Sequence, residues 1–273
     1  SVQDVGKKHI IAFKDALLAE GKTPKNINVI IPFLGTIFNF AVDNGLIEAN
    51  PAKGVQVLDK ARSSEKRRGF NKDELAALFS GPVHSEGVRP IGGGGEAAYW
   101  LPLLSLYTGA RQTELGQLHP EDVCQERYDD LEGNECSAWV VRIVENKSRG
   151  QKVKTEGSER RVPLHRDLIR LGFLEVVAAA RTQGRERIFY SIKAASSGEL
   201  MGNWSKWFGR YIRKTCMITD RRVVFHSFRH SFKDLARACM LDTAVHNAIT
   251  GHETGDVADK YGSLDFPLGP LVD

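Results

Sequence analysis

Four cysteines in 273 residues, none in a Cys-x-x-Cys pair, leave little for a disulfide framework or a thiolate metal site. Cys124, Cys136, Cys216 and Cys239 read as reduced thiols, and a zinc site built from His119, Cys124 and Cys136 would match no common ligand spacing. No uninterrupted apolar run of about 18 residues appears, which argues against a transmembrane helix. Ser1-Val2-Gln3-Asp4 lacks the apolar core of a signal peptide. It also lacks an initiator Met, as a fragment or processed chain would. The glycine run at 92–95 lacks the Lys-Ser/Thr that completes a phosphate-binding P-loop, so a flexible connector is expected there. His226 and His230 lack the Glu of a His-Glu-x-x-His zinc motif. Neither a metal nor a cofactor is expected.

What is present is ordinary in bulk and uneven in detail. A hydrophobic share of 41% and a charged share of 26% suit a folded globular chain long enough for two domains. The net charge of +4 says little by itself, but the basic residues are clustered. Residues 142–166 hold eight Lys or Arg against three acidic residues, and residues 204–229 hold seven against Asp220 alone. Such segments suggest a polyanion-binding face, although a solvated surface would read the same way.

Periodicity and capping signals predict helices over Asp4–Ala19, over 24–44 after Thr23, from Lys72 to Phe79, and from Glu96 to Tyr107. Further helices are expected over Leu168–Arg181, Trp204–Thr215, Ser227–Met240 and Asp242–Thr250, with a short one over 255–260. Ala138–Val144 reads as a strand, and Lys152–Leu164 as a hairpin turning at Glu156-Gly157-Ser158. Within Ser227–Met240, Phe228, Phe232, Leu235, Ala236 and Cys239 form an apolar stripe. The expected division is a helical domain over 1–62, a basic linker over 63–68 and a larger domain over 69–273.

Six residues stand out, each in its own local motif. Arg111 lies in Thr108-Gly109-Ala110-Arg111-Gln112-Thr113-Glu114, and Lys154 in Lys154-Thr155-Glu156-Gly157. His226 and Arg229 share His226-Ser227-Phe228-Arg229, His252 follows Gly251, and Tyr261 comes nine residues later. Cationic and proton-donating groups with one phenol suit attack on a phosphodiester without a metal. His226 and Arg229, three apart at a helix start, can point the same way, where an anion is favoured.

In this order the motifs resemble those of the tyrosine recombinase family, in particular its phage-type integrases. The resemblance is strong over 71–263 and moderate upstream. It implies a mainly α fold with a small antiparallel β-sheet (α+β), in which a helical core-binding domain precedes the catalytic domain. It implies that Tyr261 attacks the scissile phosphate, that Arg111 and Arg229 clamp its nonbridging oxygens, and that Lys154 protonates the leaving 5′-oxygen. His226 would assist proton transfer at the nucleophile, His252 would hydrogen-bond a phosphate oxygen, and Glu114 would orient Arg111 or a neighbour without doing chemistry itself.

Lys154 is chosen over Lys147 and Lys152 because it stands just before the turn. Candidate DNA contacts are Lys66, Arg67 and Arg68 in the linker, Lys152 and Arg160 in the hairpin, and Lys206 and Arg210 on a possible groove helix. The implied partners are double-stranded att-type DNA, other protomers in a DNA-bound tetramer, DNA-bending accessory proteins and an excisionase, in the bacterial cytoplasm and away from membranes. The family's core-binding domain usually has about four helices, whereas 1–62 shows two long ones, so an N-terminal truncation is expected. Only twelve residues follow Tyr261, room for just the start of a C-terminal helix. Type IB topoisomerases share this chemistry and are the nearest alternative; a DNA-binding fragment with a silent site is another.

Overall fold

The computed structural model describes residues 1–58, 67–130, 132–252 and 266–272. The chain divides into two compact units, Ser1–Lys66 and Arg67–Asp273.

In the first unit, α1 (Lys7–Ala19) and α2 (Pro24–Asp43) enclose a small core of Ile10, Leu17, Ile27, Ile31 and Phe38. The Thr23 hydroxyl caps α2 by accepting the Asn26 N–H at 3.3 Å, and Pro24 supplies a preset φ at the first helical position. Asn28 then clasps the returning chain, donating to the Val57 carbonyl at 2.7 Å and accepting its N–H at 2.8 Å. Ile37, expected on the apolar face, is exposed, and with Val29, Phe33 and Phe40 it makes an outward apolar stripe. By length and composition α2 could cross a membrane, with a mean hydropathy of 1.3, although Asn26, Asn28 and Asn39 interrupt its apolar residues.

The second unit begins with α3 (Lys72–Phe79), α4 (Pro82–Ser85), α5 (Glu96–Thr108) and α6 (Gln112–Gly116). A three-stranded antiparallel sheet follows, of β1 (Val123–Asp129), β2 (Glu135–Ile143) and β3 (Arg160–Pro163) in that order. Val123 pairs with Val141, and Val141 in turn with Val162. Then come α7 (Arg166–Arg170), α8 (Phe173–Thr182), α9 (Gly202–Lys214), α10 (Ser227–Ala238), α11 (Thr243–Thr250) and α12 (Gly269–Val272). The buried helix α5 is central: Ala97, Trp100, Leu101 and Leu104 are all within the core, and α10 packs along it. The fold is thus α+β, mostly helical with one small sheet.

Several local expectations need correcting. There is no strand over 152–155, so the expected hairpin is replaced by a longer one in which β3 pairs with β2 across residues 144–159. Residues 156–158 form a single 3-10 turn. β1 was not expected at all, because Gln125-Glu126-Arg127 places charge where strand propensity is weak. Gly172, at φ +96°, splits the expected long helix into α7 and α8. On α10, Phe228 and Ala236 are buried but Leu235 and Cys239 are exposed, so the apolar stripe is narrower than its sequence pattern. The glycine run is packed rather than loose: Trp204 donates its indole N–H to the Gly93 carbonyl at 2.8 Å, and Trp207 covers Gly92 and Gly93. The expected helix over 255–260 lies outside the described residues.

Candidate active site

Arg111 occupies the N-cap position of α6, and Glu114 closes the turn by accepting the Arg111 N–H at 2.8 Å. The same carboxylate takes a hydrogen bond from the Arg111 guanidinium, so backbone and side chain are fixed together. Glu114 is only 2% exposed, and burial raises its pKa while Arg160 and Arg111 lower it; the cations win and the net shift is downward. The turn feeding Arg111 depends on Gly109, at φ +61°, where a Cβ would lie 2.9 Å from Thr250 and 3.0 Å from Phe232. No other residue fits that close approach without strain.

Arg229 projects from the first turn of α10 and is buried. It donates to the Gly109 carbonyl at 2.9 Å and to the Thr250 carbonyl, which joins the ends of α5 and α11. Burial, then the nearby cations Arg111 and Arg160, push its pKa down to about 10. It is still charged at neutral pH.

His226 opens α10 and stacks edge-on against His230 at 5.3 Å. Its pKa is pushed down to about 4 by loss of water and then by His230, Arg229, Arg67 and Arg111. His226 is exposed as a residue, which weakens the desolvation and leaves the surrounding cations as the firmer cause. The imidazole is neutral at pH 7 and able to accept a proton. Arg111 and His226 line one concavity with Thr113, Met201, Ser205 and Phe225.

His252 is exposed just after Gly251, which ends α11 at φ +59°. The His252 N–H donates to the Asn247 carbonyl at 3.0 Å. Its pKa is lowered by burial, then by Lys233, Arg229 and Arg111. Lys154 is exposed on the segment after Gln151, which is pinned by Gln117: the Lys152 carbonyl accepts at 2.8 Å and its N–H donates at 3.0 Å.

The structure therefore brings Arg111, His226, Arg229 and His252 into one electrostatic centre, with Lys154 on an adjoining exposed segment. Tyr261 and Lys66 lie outside the described residues. Of the other expected DNA contacts, Arg67, Lys152, Lys206 and Arg210 are exposed. Arg68 instead grips Glu74 at 2.6 Å and Asp220 at 2.8 Å, and Arg160 is buried; both are engaged by protein carboxylates rather than presented to solvent. Among the described residues, no three His, Cys, Asp or Glu side chains are grouped to hold a metal ion.

One group at the centre was missed. Lys233, one turn beyond Arg229 on α10, is half-buried, and its pKa is lowered by burial, Arg229, Arg237 and Arg111. The spacing of His226, Arg229 or His230, Lys233 and Arg237 at three- and four-residue steps was visible in the sequence and marks one continuous basic face.

The mostly helical second unit, with its small sheet and a cationic centre where α6, α10 and α11 meet, defines a class of fold. An integrase from the Tn1549 transposon, solved with circular intermediate DNA, has that fold: 96% of this chain overlays 82% of it, with a TM-score of 0.64 and 16% identity. A lambda integrase tetramer bound to a Holliday junction overlays 95% of this chain and 68% of its own, with a TM-score of 0.61 and 20% identity.

No family model matches the chain. Among sequence relatives, a tyrosine recombinase XerC-like protein of Caldanaerobacter subterraneus subsp. tengcongensis is 30% identical over 166 residues, covering 58% of this chain and 39% of that relative. The tyrosine recombinase XerC of Shewanella sp. (strain ANA-3) is 24% identical over 266 residues, 96% of this chain and 77% of its own. The chain is thus similar in sequence to these tyrosine recombinases and in fold to these integrases.

Proposed function

We propose that the protein is a site-specific DNA recombinase that cuts and rejoins strands through a 3′-phosphotyrosyl intermediate. The observation that carries this reading is the joint placement of Arg111 and Arg229, each fixed by protein acceptors, beside a neutral His226. Two preset guanidinia suit the nonbridging oxygens of a phosphate whose charge grows in the transition state. Tyr261, with an ordinary pKa of about 10, needs a proton acceptor or a strong local positive potential; Arg111 and Arg229 supply the potential, and neutral His226, though a weak base, is the candidate acceptor. The Tyr261 oxygen bonds to phosphorus as the bond to the 5′-oxygen breaks, and Lys154 supplies the proton that leaves a 5′-hydroxyl. The reverse reaction reseals the strand without ATP, because the phosphotyrosyl bond conserves the phosphodiester energy.

On this reading the chain is a monomer in free solution and a tetramer on paired duplex sites, as an integrase of a prophage or other integrative element. Accessory bending proteins and an excisionase would bias direction. Arg67, Lys152, Lys206 and Arg210 would contact phosphates, with salt-dependent affinity. Relaxation of DNA in the manner of a type IB topoisomerase is the nearest alternative, and strand exchange between paired sites separates the two.

The test is incubation with a nicked suicide duplex in EDTA. A covalent protein–DNA adduct that vanishes in Tyr261→Phe is expected. An adduct formed by that variant, or a strict need for metal, refutes the proposal.

A further inference from the structure

Arg160 sits on β3 in one of the basic stretches of the chain, yet its side chain is only 5% exposed. Its guanidinium spends its donors on three separate segments. Nη2 donates to Glu114 Oε2 at 2.8 Å, Nη1 to the Ser158 carbonyl at 2.7 Å, and Nε to the Ile249 carbonyl at 2.7 Å. Each acceptor neighbours a different part of the site. Glu114 holds Arg111, Ser158 ends the turn that follows Lys154, and Ile249 stands at the end of α11, three residues before His252.

Two further contacts tighten the junction. A Cβ on Gly251 would lie 2.8 Å from Arg160 Nη1 and 3.1 Å from its Cδ, so the turn carrying His252 is moulded on this side chain. Ser158, wholly buried, also accepts from Arg111 at 3.4 Å and shares a hydroxyl hydrogen bond with Thr155 at 3.0 Å.

Burying a guanidinium is costly unless it is fully hydrogen-bonded, and a planar fork with five donors can meet three acceptors in fixed directions where an ammonium cannot. We infer that Arg160 is the positioning residue of the centre: it sets Arg111 through Glu114, and it registers the Lys154 segment and the His252 turn against that pair, without touching DNA. The inference rests on the recombinase reading for its effect on rate, but not for its effect on structure.

Arg160→Lys separates this role from a phosphate contact. Single-turnover cleavage of the suicide duplex, at saturating DNA, is expected to fall about 100-fold, the scale of losing preorganised charge stabilisation. The dependence of duplex affinity on salt should keep its slope, whereas loss of a phosphate contact would flatten it by about one. Hydrogen exchange at the amides of Ser158 and His252 should quicken in the same variant. A flattened slope with an unchanged cleavage rate and unchanged exchange overturns the inference.

If Arg160→Lys does not fold, Glu114→Gln carries the test, since it breaks the charged link between Arg160 and Arg111 and leaves both carbonyl bonds. Cleavage must then fall while the salt slope holds, and an unchanged rate overturns the inference. Should the unaltered chain form no adduct at all, the functional reading fails, while amide exchange in the Arg160 variant still decides the positioning role.

Discussion

Arg229 donates to the carbonyl of Thr250, the last residue of α11 before Gly251-His252. Because it also holds the Gly109 carbonyl, one guanidinium fixes the approach to Arg111 and the approach to His252. Arg229→Lys keeps the charge but cannot span both carbonyls and a phosphate. Suicide-substrate cleavage should fall by roughly 100-fold or more, with duplex affinity nearly kept. A rate within a few-fold of the unaltered chain would show that guanidinium geometry is not needed.

His226 links the site to acid stability. An unfolded histidine takes up its proton near 6.5, whereas folded His226 does so only at about 4. Between these values the unfolded chain binds the extra proton, so stability that is complete above about 6.5 is lost as the pH falls toward 4. The groups responsible are His230, Arg229, Arg67 and Arg111, together with partial burial. Urea midpoints of the unaltered chain should therefore drop more between pH 7 and pH 5 than those of His226→Asn. Equal drops would mean that His226 titrates normally.

The placement of Arg111, His226 and His252 at element ends was legible because each signal is local: a glycine-ended helix before Arg111, a helix start at His226, a glycine stop before His252. Arg160 was not. It stands among solvated-looking cations, and the tertiary approach of Glu114, 46 residues away, and of Ile249, 89 residues away, removes it from water. Arg68 was misread for the same reason, since Asp220 reaches it from 152 residues away. The sheet was half legible. The β-branched alternation of β2 shows in Trp139-Val140-Val141-Arg142-Ile143, but the choice of partner for β3 is a long-range pairing that residues 152–164 alone do not encode. The glycine run failed differently: lack of a side chain reads as looseness, whereas here it admits Trp207.

Lys233 should be felt by its neighbours before it is felt in any reaction. The ammonium depresses the pKa of both His246 and His252, after burial in each case. In Lys233→Met the imidazole titrations of these two histidines, followed by proton NMR, should move to higher pH. Duplex affinity should lose about one unit of salt slope if the ammonium also meets a phosphate. Unmoved histidine titrations would place Lys233 outside the centre.

Gly93 offers a test of how α9 is held. Its carbonyl accepts from Trp204, and a Cβ there would lie 2.7 Å from Trp207 Cζ2 and 2.8 Å from the Ala98 Cβ. Both neighbours are rigid, so Gly93→Ala must displace either the indole or α5. Overpacking of this kind costs about 1–3 kcal/mol. At Gly92 the nearest atom, Trp207 Cδ1, would be 3.1 Å away, and a small shift of one ring accommodates it. Denaturant unfolding should therefore rank Gly93→Ala well below Gly92→Ala, with the unaltered chain highest. If the two variants unfold alike, the glycines are acting as the loose connector their sequence suggests, and α9, with Lys206 and Arg210 on its exposed side, is not anchored through Trp204 and Trp207.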